Sequence, residues 1–214
     1  MGKRLEIVVP KGLNELTVSQ YQNYAELAEG LDDPIRLNEI AIMCFCNVSI
    51  EHLRLLSSFQ VNDISARLSV VMEEFSKDQH LIRRFRLEGV EYGFIPNLDK
   101  ITYGENRDIV EYLKGGVKDS HKAMAVLFRP IKKSYNATYE IDKYETPVKH
   151  QMLMKDMPLH IMLGAQVFFW NLIKELLDHI PKYLQKAMGE KSYRELIQKV
   201  STKQTGDGMM NFIT

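Results

Sequence analysis

The chain has 214 residues, and its 28 lysines and arginines balance 28 aspartates and glutamates, giving a formal net charge of zero. Hydrophobic residues account for 45% and charged residues for 26%, a balance typical of folded globular domains that argues against disorder. The basic excess of most nucleic-acid-binding proteins is missing. Zero charge also removes repulsion between copies, so a homo-oligomer is compatible with the composition.

The two cysteines, Cys44 and Cys46, lie two positions apart in an apolar run. Such a pair points to different sides of a helix, so the sequence predicts neither a disulfide nor a metal pair, and it indicates a reducing compartment. The longest apolar stretch, Leu159–Leu177, is about long enough to span a bilayer. Polar residues such as His160 and Glu175 interrupt it, which predicts a buried core helix and no membrane partner.

The first third of the chain has a helical pattern. A short strand is predicted over Leu5–Val9, and short loops then separate four helices, which favours a small antiparallel bundle. The predicted helices are Leu16–Gly30 with Thr17 or Ser19 as cap, Ile35–Cys46 with Pro34 in its first turn, Ile50–Ser57 capped by Ser49, and one capped by Asn62 or Asp63 with the apolar stripe Ile64, Leu68, Val71 and Phe75.

In the middle of the chain the hydrophobic pattern changes from helical spacing to the alternation typical of strands. Arg83–Leu87 and Val90–Ile95 alternate around Glu88-Gly89, which predicts a two-residue β-hairpin. Thr102 and Glu105 then form a capping-box pattern that opens a helix to about Lys114. A further helix is capped by Ser120, has the stripe Met124, Leu127, Phe128 and Ile131, and ends or kinks at Pro130. The tyrosine-rich segment Lys132–Pro147 is predicted to be an extended arm or a short strand.

The C-terminal third is helical again, with a seam at four-three spacing that Pro181 interrupts. The seam residues are Leu159, Leu163, Gln166, Trp170, Ile173, Leu177, Ile180 and Leu184. The fold class that follows is mainly α, a helical bundle with one β-hairpin and a short N-terminal strand. We divide the chain into residues 1–80, 81–147, 148–204 and a flexible tail, 205–214.

Patterns typical of catalysis or cofactor binding do not stand out in the sequence. Among the six histidines, none forms a pair at the four-residue spacing of a helical zinc site. Gly115-Gly116-Val117-Lys118 lacks the spacing of a phosphate-binding loop. We therefore predict no catalytic residues, no cofactor, no metal and no enzymatic activity. An enzyme of unknown type is an alternative to this prediction. It would require a polar pocket with converging titratable groups.

Basic and aromatic residues alternate over residues 118–139, a pattern that can hold single-stranded nucleic acid. Asp119, Glu140 and Asp142 dilute this charge, so a solvated surface is favoured and nucleic-acid binding is the alternative function. The basic and aromatic members of the segment are Lys118, Lys122, Arg129, Lys132, Lys133, Tyr135 and Tyr139. Arg129 differs from the others because it lies inside an apolar stripe. We expect it to be partly buried and paired with Glu105 or Asp108 as a structural brace.

Four segments together resemble a group of tailed-phage proteins encoded among virion morphogenesis genes, known as tail assembly or baseplate-hub assembly proteins. These segments read EGVEYGFIPNLDKITYGENRDIVEYL, HKAMAVLFRPI, YEIDKY and GAQVFFWNLIKELL. The N-terminal part, LTVSQYQNYAEL followed by NEIAIMCFCNVSIEHLRLLSSFQVNDISARL, is similar to phage tail assembly chaperones. The resemblance spans about residues 13–180, while the methionine-rich Gly208-Met209-Met210 has no counterpart in it. It implies an assembly or virion protein without enzymatic activity.

The predicted function is therefore binding to another tail or virion component, as an assembly factor or as a structural part. The implied location is the host cytoplasm during assembly, and whether the protein stays in the particle is left open. The aromatic and aliphatic side chains of the central segment are expected to cover apolar or strand-edge surface of the partner. The predicted contact residues are Tyr92, Phe94, Ile95, Pro96, Met124, Phe128 and Arg129, with Trp170 as a second contact for self-association.

Overall fold

A computed structural model describes residues 7–77, 79–135, 138–145 and 148–172. The chain falls into two compact units, Met1–Val167 and Phe168–Thr214. The boundaries predicted after residues 80 and 147 both fall inside the first unit. Of the second unit only residues 168–172 are described, and they are helical. The predicted helices beyond residue 172 and the predicted tail lie outside the described residues.

Helices make up most of the described chain. Seven of them are α1 Val18–Ala28, α2 Pro34–Phe45, α3 Ile50–Leu53, α4 Ser58–Glu73, α5 Tyr103–Lys114, α6 Ser120–Leu127 and α7 Val148–Leu153. Short 3-10 turns precede α1, α5 and α6 and follow α4 and α7. Residues 159–167 form a further helix that closes the first unit.

Side-chain caps set where three of these helices begin. Thr17 with Gln20, Ser57 with Gln60, and Thr102 with Glu105 each form a reciprocal capping box. The predictions for Thr17 and for the Thr102–Glu105 box are confirmed. The predicted cap of α4 at Asn62 or Asp63 is wrong, because Ser57 and Gln60 satisfy the first free N–H groups more than a turn earlier.

The four strands form one antiparallel sheet in the order β1-β2-β3-β4. They are β1 Arg84–Leu87, β2 Val90–Phe94, β3 Phe128–Tyr135 and β4 Thr138–Ile141. Glu88 and Gly89 join β1 to β2 with φ values of 47° and 78°. Two successive positive φ angles are those of a type I′ turn, whose twist matches that of a hairpin. The predicted hairpin is therefore confirmed.

The fold class needs a correction, because the chain is mixed α+β with a four-stranded sheet rather than a helical bundle with one hairpin. α6 ends at Leu127, and Pro130 lies within β3 instead of ending a helix. Pro130 O accepts a hydrogen bond from Asp142 N at 2.9 Å, on the β4 side. The missing N–H of Pro130 faces the same side, so pairing with β2 loses nothing. Of the arm predicted over Lys132–Pro147, the residues up to Tyr135 belong to β3 and Thr138–Ile141 form β4.

Two further predictions differ from the structure. Residues 7–9 are not in a strand, and the first two residues of the strand predicted over Leu5–Val9 lie outside the described part. In the C-terminal helix Leu159, Met162 and Ala165 are buried. Of the predicted seam positions, Leu159 is buried, Leu163 and Gln166 are half-buried, and Trp170 is exposed. Met162 and Ala165 are buried without being seam positions, so the described part of that helix follows the predicted seam only at its start.

In the core of the first unit, residues near its N-terminal end pack against residues near its C-terminal end. Val18 N donates to Met157 O at 3.0 Å and Leu159 N donates to Leu16 O at 2.8 Å. The residues between them, Thr17 and Pro158, form an isolated β-bridge. The side chains of the four hydrogen-bonded residues, Leu16, Val18, Met157 and Leu159, are completely buried. The backbone bonds therefore hold the start of α1 against the helix over residues 159–167.

Gly164 gives a test of this packing. A Cβ atom built on Gly164 would lie 2.1 Å from His80 O, a backbone atom. We expect Gly164→Ala to lower the free energy of unfolding by about 1–3 kcal/mol, because the backbone must separate. Gly104, in the first turn of α5, has nothing within 4 Å of its Cβ position. Gly104→Ala should raise stability by up to about 1 kcal/mol. Urea denaturation of both variants measures the difference, and equal effects would contradict this account of Gly164.

Candidate functional site

Most of the predicted contact residues lie in the core and not on a surface. Buried side chains account for six of the eight: Tyr92, Phe94, Ile95, Met124, Phe128 and Arg129. These six side chains pack inside the protein and do not form a docking surface in this structure. Pro96 is exposed, and Trp170, in the second unit, keeps 63% of its surface exposed.

The aromatic residues of the sheet are buried because they share one face. Phe85 is opposite Tyr92, and Phe94 is opposite Phe128. The rings of Phe94 and Phe128 meet edge to face with centroids 5.3 Å apart. His150 of α7 covers this face: its ring stacks on Tyr92 at 5.6 Å, and its Nε2 donates to Phe128 O at 3.0 Å. The predicted docking rings thus form an internal layer.

Arg129 projects from the opposite face of the sheet and makes a buried ion pair. Its Nη2 lies 2.7 Å from Glu105 Oε1, with 10% of the arginine and 5% of the glutamate side chain exposed. Glu105 Oε2 accepts from Thr102 N and Thr102 Oγ1, both at 2.7 Å. One carboxylate therefore caps α5 and holds β3. The partner predicted for Arg129 is confirmed, and its buried Nε has no hydrogen-bond partner among the described residues.

A second polar contact lies beside this pair. Tyr144 donates a short hydrogen bond from its hydroxyl to Asp108 Oδ2, and Arg129 Cζ lies 5.9 Å from the centre of the Tyr144 ring. Burial and the neighbouring Asp108 carboxylate raise the pKa of Tyr144 well above its usual range. Asp108, the other predicted partner of Arg129, thus binds Tyr144. The arrangement ties the segment after β4 to α5.

The basic and aromatic residues of segment 118–139 do not form one surface. Lys122 pairs with Asp119 at 2.6 Å, and Arg129 is buried against Glu105. Lys132 and Lys133 are exposed on β3. Tyr139 lies over Gly93 of β2, where a Cβ atom would approach its ring to 2.3 Å. The cations of the segment are thus distributed over a turn, the core and a strand.

A cleft of about 850 Å³ lies between α1 and the turn that leads into α6. Gln22 spans its wall: its side-chain amide donates to Val117 O at 2.8 Å and to His121 Nδ1 at 2.9 Å. His121 is buried. Burial lowers its pKa, and the positive charges of Lys155 and Lys122 lower it further, whereas Asp119 opposes them. The neutral imidazole therefore serves as a hydrogen-bond acceptor that joins two elements.

The thiols and the acidic and histidine side chains show no arrangement that binds metal within the described ranges. Cys44 and Cys46 are both free thiols. Burial raises the pKa of Cys46 to about 11. A thiol with this pKa is protonated at neutral pH, and a protonated thiol is a poor nucleophile and a poor ligand.

Two apolar side chains that the sequence patterns did not select are the most exposed ones in the N-terminal helical region. Leu55 precedes α4 and Phe59 lies in its first turn, and they keep 81% and 82% of their surfaces exposed. The cap at Ser57 is the sequence signal that would have identified the exposed position of Phe59. Once α4 is extended back to residue 58, Phe59 lies about 140° around the helix from buried Ile64, at roughly 100° per residue.

The chain matches no protein-family model, and comparison with curated proteins and with solved structures finds no significant similarity. Across residues 7–77, 79–135, 138–145 and 148–172, none of the helices combines the length and apolar character needed to cross a bilayer.

The Arg129–Glu105 pair is testable by a double-mutant cycle. Arg129→Met leaves a buried carboxylate without its cation, so we expect a loss of about 3–5 kcal/mol in the free energy of unfolding. Glu105→Gln keeps an acceptor for Thr102, and the double variant should lose less than the sum of the single ones. Denaturant titrations measure all three.

A control for the cycle is the exposed pair of Arg36 and Glu39. Its atoms are 2.9 Å apart, but its side chains are 50% and 36% exposed. Arg36→Met should cost less than about 1 kcal/mol. Similar losses at Arg36 and Arg129 would contradict the structural importance of the buried pair.

The lowered pKa of His121 predicts that acid weakens the fold. The folded protein holds this imidazole neutral, whereas the unfolded chain binds a proton below the ordinary histidine pKa of about 6.5. Stability from His121 is therefore complete above that pH and is lost as the pH falls. His121→Asn keeps an acceptor for Gln22 but does not titrate. Its free energy of unfolding, measured in urea at pH 7.5 and at pH 5.5, should fall less than that of the native protein. If the free energy of unfolding falls by the same amount between pH 7.5 and pH 5.5 in the variant and in the native protein, His121 is not the cause of the acid sensitivity.

Proposed function

We propose that this protein is a non-enzymatic virion morphogenesis protein of a tailed phage. It binds another tail or virion component as an assembly factor or as a structural part. The resemblance of residues 13–180 to tail and baseplate-hub assembly proteins supports the phage setting. The exposed apolar side chains support the binding of another polypeptide.

The observation that carries the binding role is the exposure of Leu55 and Phe59. Both side chains are large and apolar, and both lie at the junction between α3 and α4. Burying a leucine or phenylalanine against a partner stabilises the complex by about 1.5–3 kcal/mol for each side chain. Large apolar side chains that are this exposed and only four residues apart in the chain are candidates for a contact site. The contact is therefore proposed at this junction rather than at the aromatic layer of the sheet.

The polar groups support a role without catalysis. Arg129 with Glu105, Tyr144 with Asp108, and His121 with Gln22 each join two separate elements of the fold. A group that braces the fold in this way is already hydrogen-bonded within the protein. In the proposed mechanism, the protein covers apolar surface of its partner until assembly buries that surface.

Mass spectrometry of purified virions and of infected cells tests the setting. Stoichiometric amounts in virions indicate a structural part, whereas presence only in infected cells indicates an assembly factor. Absence from both would overturn the proposal. A salt-dependent shift of DNA or RNA in a gel, without any protein partner, would favour the nucleic-acid alternative instead.

The contact itself is tested by photo-crosslinking from position 59 in infected cells, with cross-linked virion proteins identified by their peptides. Leu55→Ser with Phe59→Ser should weaken binding to the identified partner by about 30-fold or more, the effect of losing a contact worth about 2 kcal/mol. Ile35→Ser with Val148→Ser is the matched control, since those side chains are 74% and 70% exposed. Equal weakening by both double variants would contradict a specific contact at Leu55 and Phe59.

A further inference from the structure

The outer edge of β1 offers unpaired backbone groups. Opposed residues of antiparallel strands alternate between hydrogen-bonded and non-hydrogen-bonded pairs. Phe94 N donates to Arg83 O at 2.9 Å, so the following hydrogen-bonded pairs are Phe85 with Tyr92 and Leu87 with Val90. Arg84 and Arg86 therefore direct their N–H and C=O groups away from β2.

These outward groups are free within the described part of the chain. β1 is the first strand in the sheet order and pairs with β2. No described residue hydrogen-bonds to the backbone N–H or C=O of Arg84 or Arg86. Such an edge is a template for one more antiparallel or parallel strand.

The charge of this edge selects what can pair with it. Arg83, Arg84 and Arg86 give β1 and its first flanking residue three guanidinium groups. Arg84 is held over the sheet, with its Nη1 2.9 Å from Ser134 Oγ and its Cζ 4.5 Å from the centre of the Tyr139 ring. Arg86 is exposed and lies opposite Glu91 of β2, but it makes no ion pair within 4 Å among the described residues.

The β1 strand of a second copy does not fit this edge. Antiparallel pairing of β1 with β1 of another copy would place Arg84 or Arg86 of one copy opposite Arg84 or Arg86 of the other. Like charges directly opposite one another on a sheet are destabilising. A strand with carboxylates at alternate positions places opposite charges there instead.

We propose that the edge of β1 binds an extended acidic segment of a partner protein, which adds to the sheet as a further strand. Backbone hydrogen bonds to Arg84 and Arg86 would hold the segment, and the Arg86 guanidinium would select carboxylates spaced two residues apart. This inference rests on the proposed function, because it names the chemistry of the virion component that the protein binds.

The test uses a short peptide of alternating threonine and glutamate, labelled for fluorescence anisotropy, with the full-length protein at low salt. Arg86→Glu should weaken its binding at least tenfold. Arg54→Glu, the same charge change at an exposed position after α3, should leave it within twofold. A peptide of the same sequence with N-methyl groups on its central threonine and the following glutamate should bind at least tenfold more weakly, because in either strand direction one of these two amides has lost the N–H that faces β1.

Amide hydrogen exchange of the native protein supplies a readout that needs no variant. Saturating peptide should slow exchange at Arg84 and Arg86, while Phe85 and Leu87, already paired with β2, change little. No binding, equal binding of the N-methylated peptide, or unchanged exchange at both arginines would overturn strand addition. If the peptide does not bind but specific cross-links from position 59 are still found, strand addition is wrong and the proposed function stands. Absence of the protein from both virions and infected cells would overturn the proposed function instead.

Discussion

The buried ion pair of Arg129 and Glu105 is the constraint on which the centre of this fold depends. Its two side chains are nearly inaccessible to water, and the desolvation of each charge is offset only while the other stays 2.7 Å away. The same carboxylate accepts two hydrogen bonds from Thr102, at the start of α5. The start of a helix and the third strand of the sheet must therefore keep one relative position, which also brings Tyr144 against Asp108.

With that position set, the two faces of the sheet have different roles. One face carries the aromatic layer of Phe85, Tyr92, Phe94 and Phe128, which α7 covers through His150. The other carries Arg129 and the ring of Tyr139, whose hydroxyl donates to Phe94 O at 2.7 Å. Gly93 has no side chain, which leaves room for that ring. Both faces near the centre of the sheet are thus used for packing, and the surfaces left for a partner lie at the periphery.

The two proposed contact regions complement each other chemically. Leu55 and Phe59 offer apolar area, which gives affinity without direction. The edge of β1 offers aligned backbone groups and a positive charge, which give direction and register. A partner that uses both would present an apolar patch and an acidic extended segment. Because the protein itself has no net charge, such selectivity depends on where its charges lie and not on their sum.

Local signals in the sequence determined a large part of this structure. The capping boxes at Thr17 and Thr102 and the Glu88-Gly89 turn act through residues at most three positions apart, so the sequence alone identifies them. Arg129 inside an apolar stripe also indicated its own partner, because a buried cation requires a nearby carboxylate. These features depend on short-range geometry and on the energy of an unpaired charge.

The tertiary structure decided which apolar side chains are covered. An aromatic strand reads the same in a sequence whether its face is buried or binds a partner. The face here is buried because α7, far along the chain, places His150 over Tyr92. Phe128 and Pro130 read as the end of a helix, yet pairing with β2 makes them part of a strand. Burial is a property of long-range packing, and no local pattern encodes it.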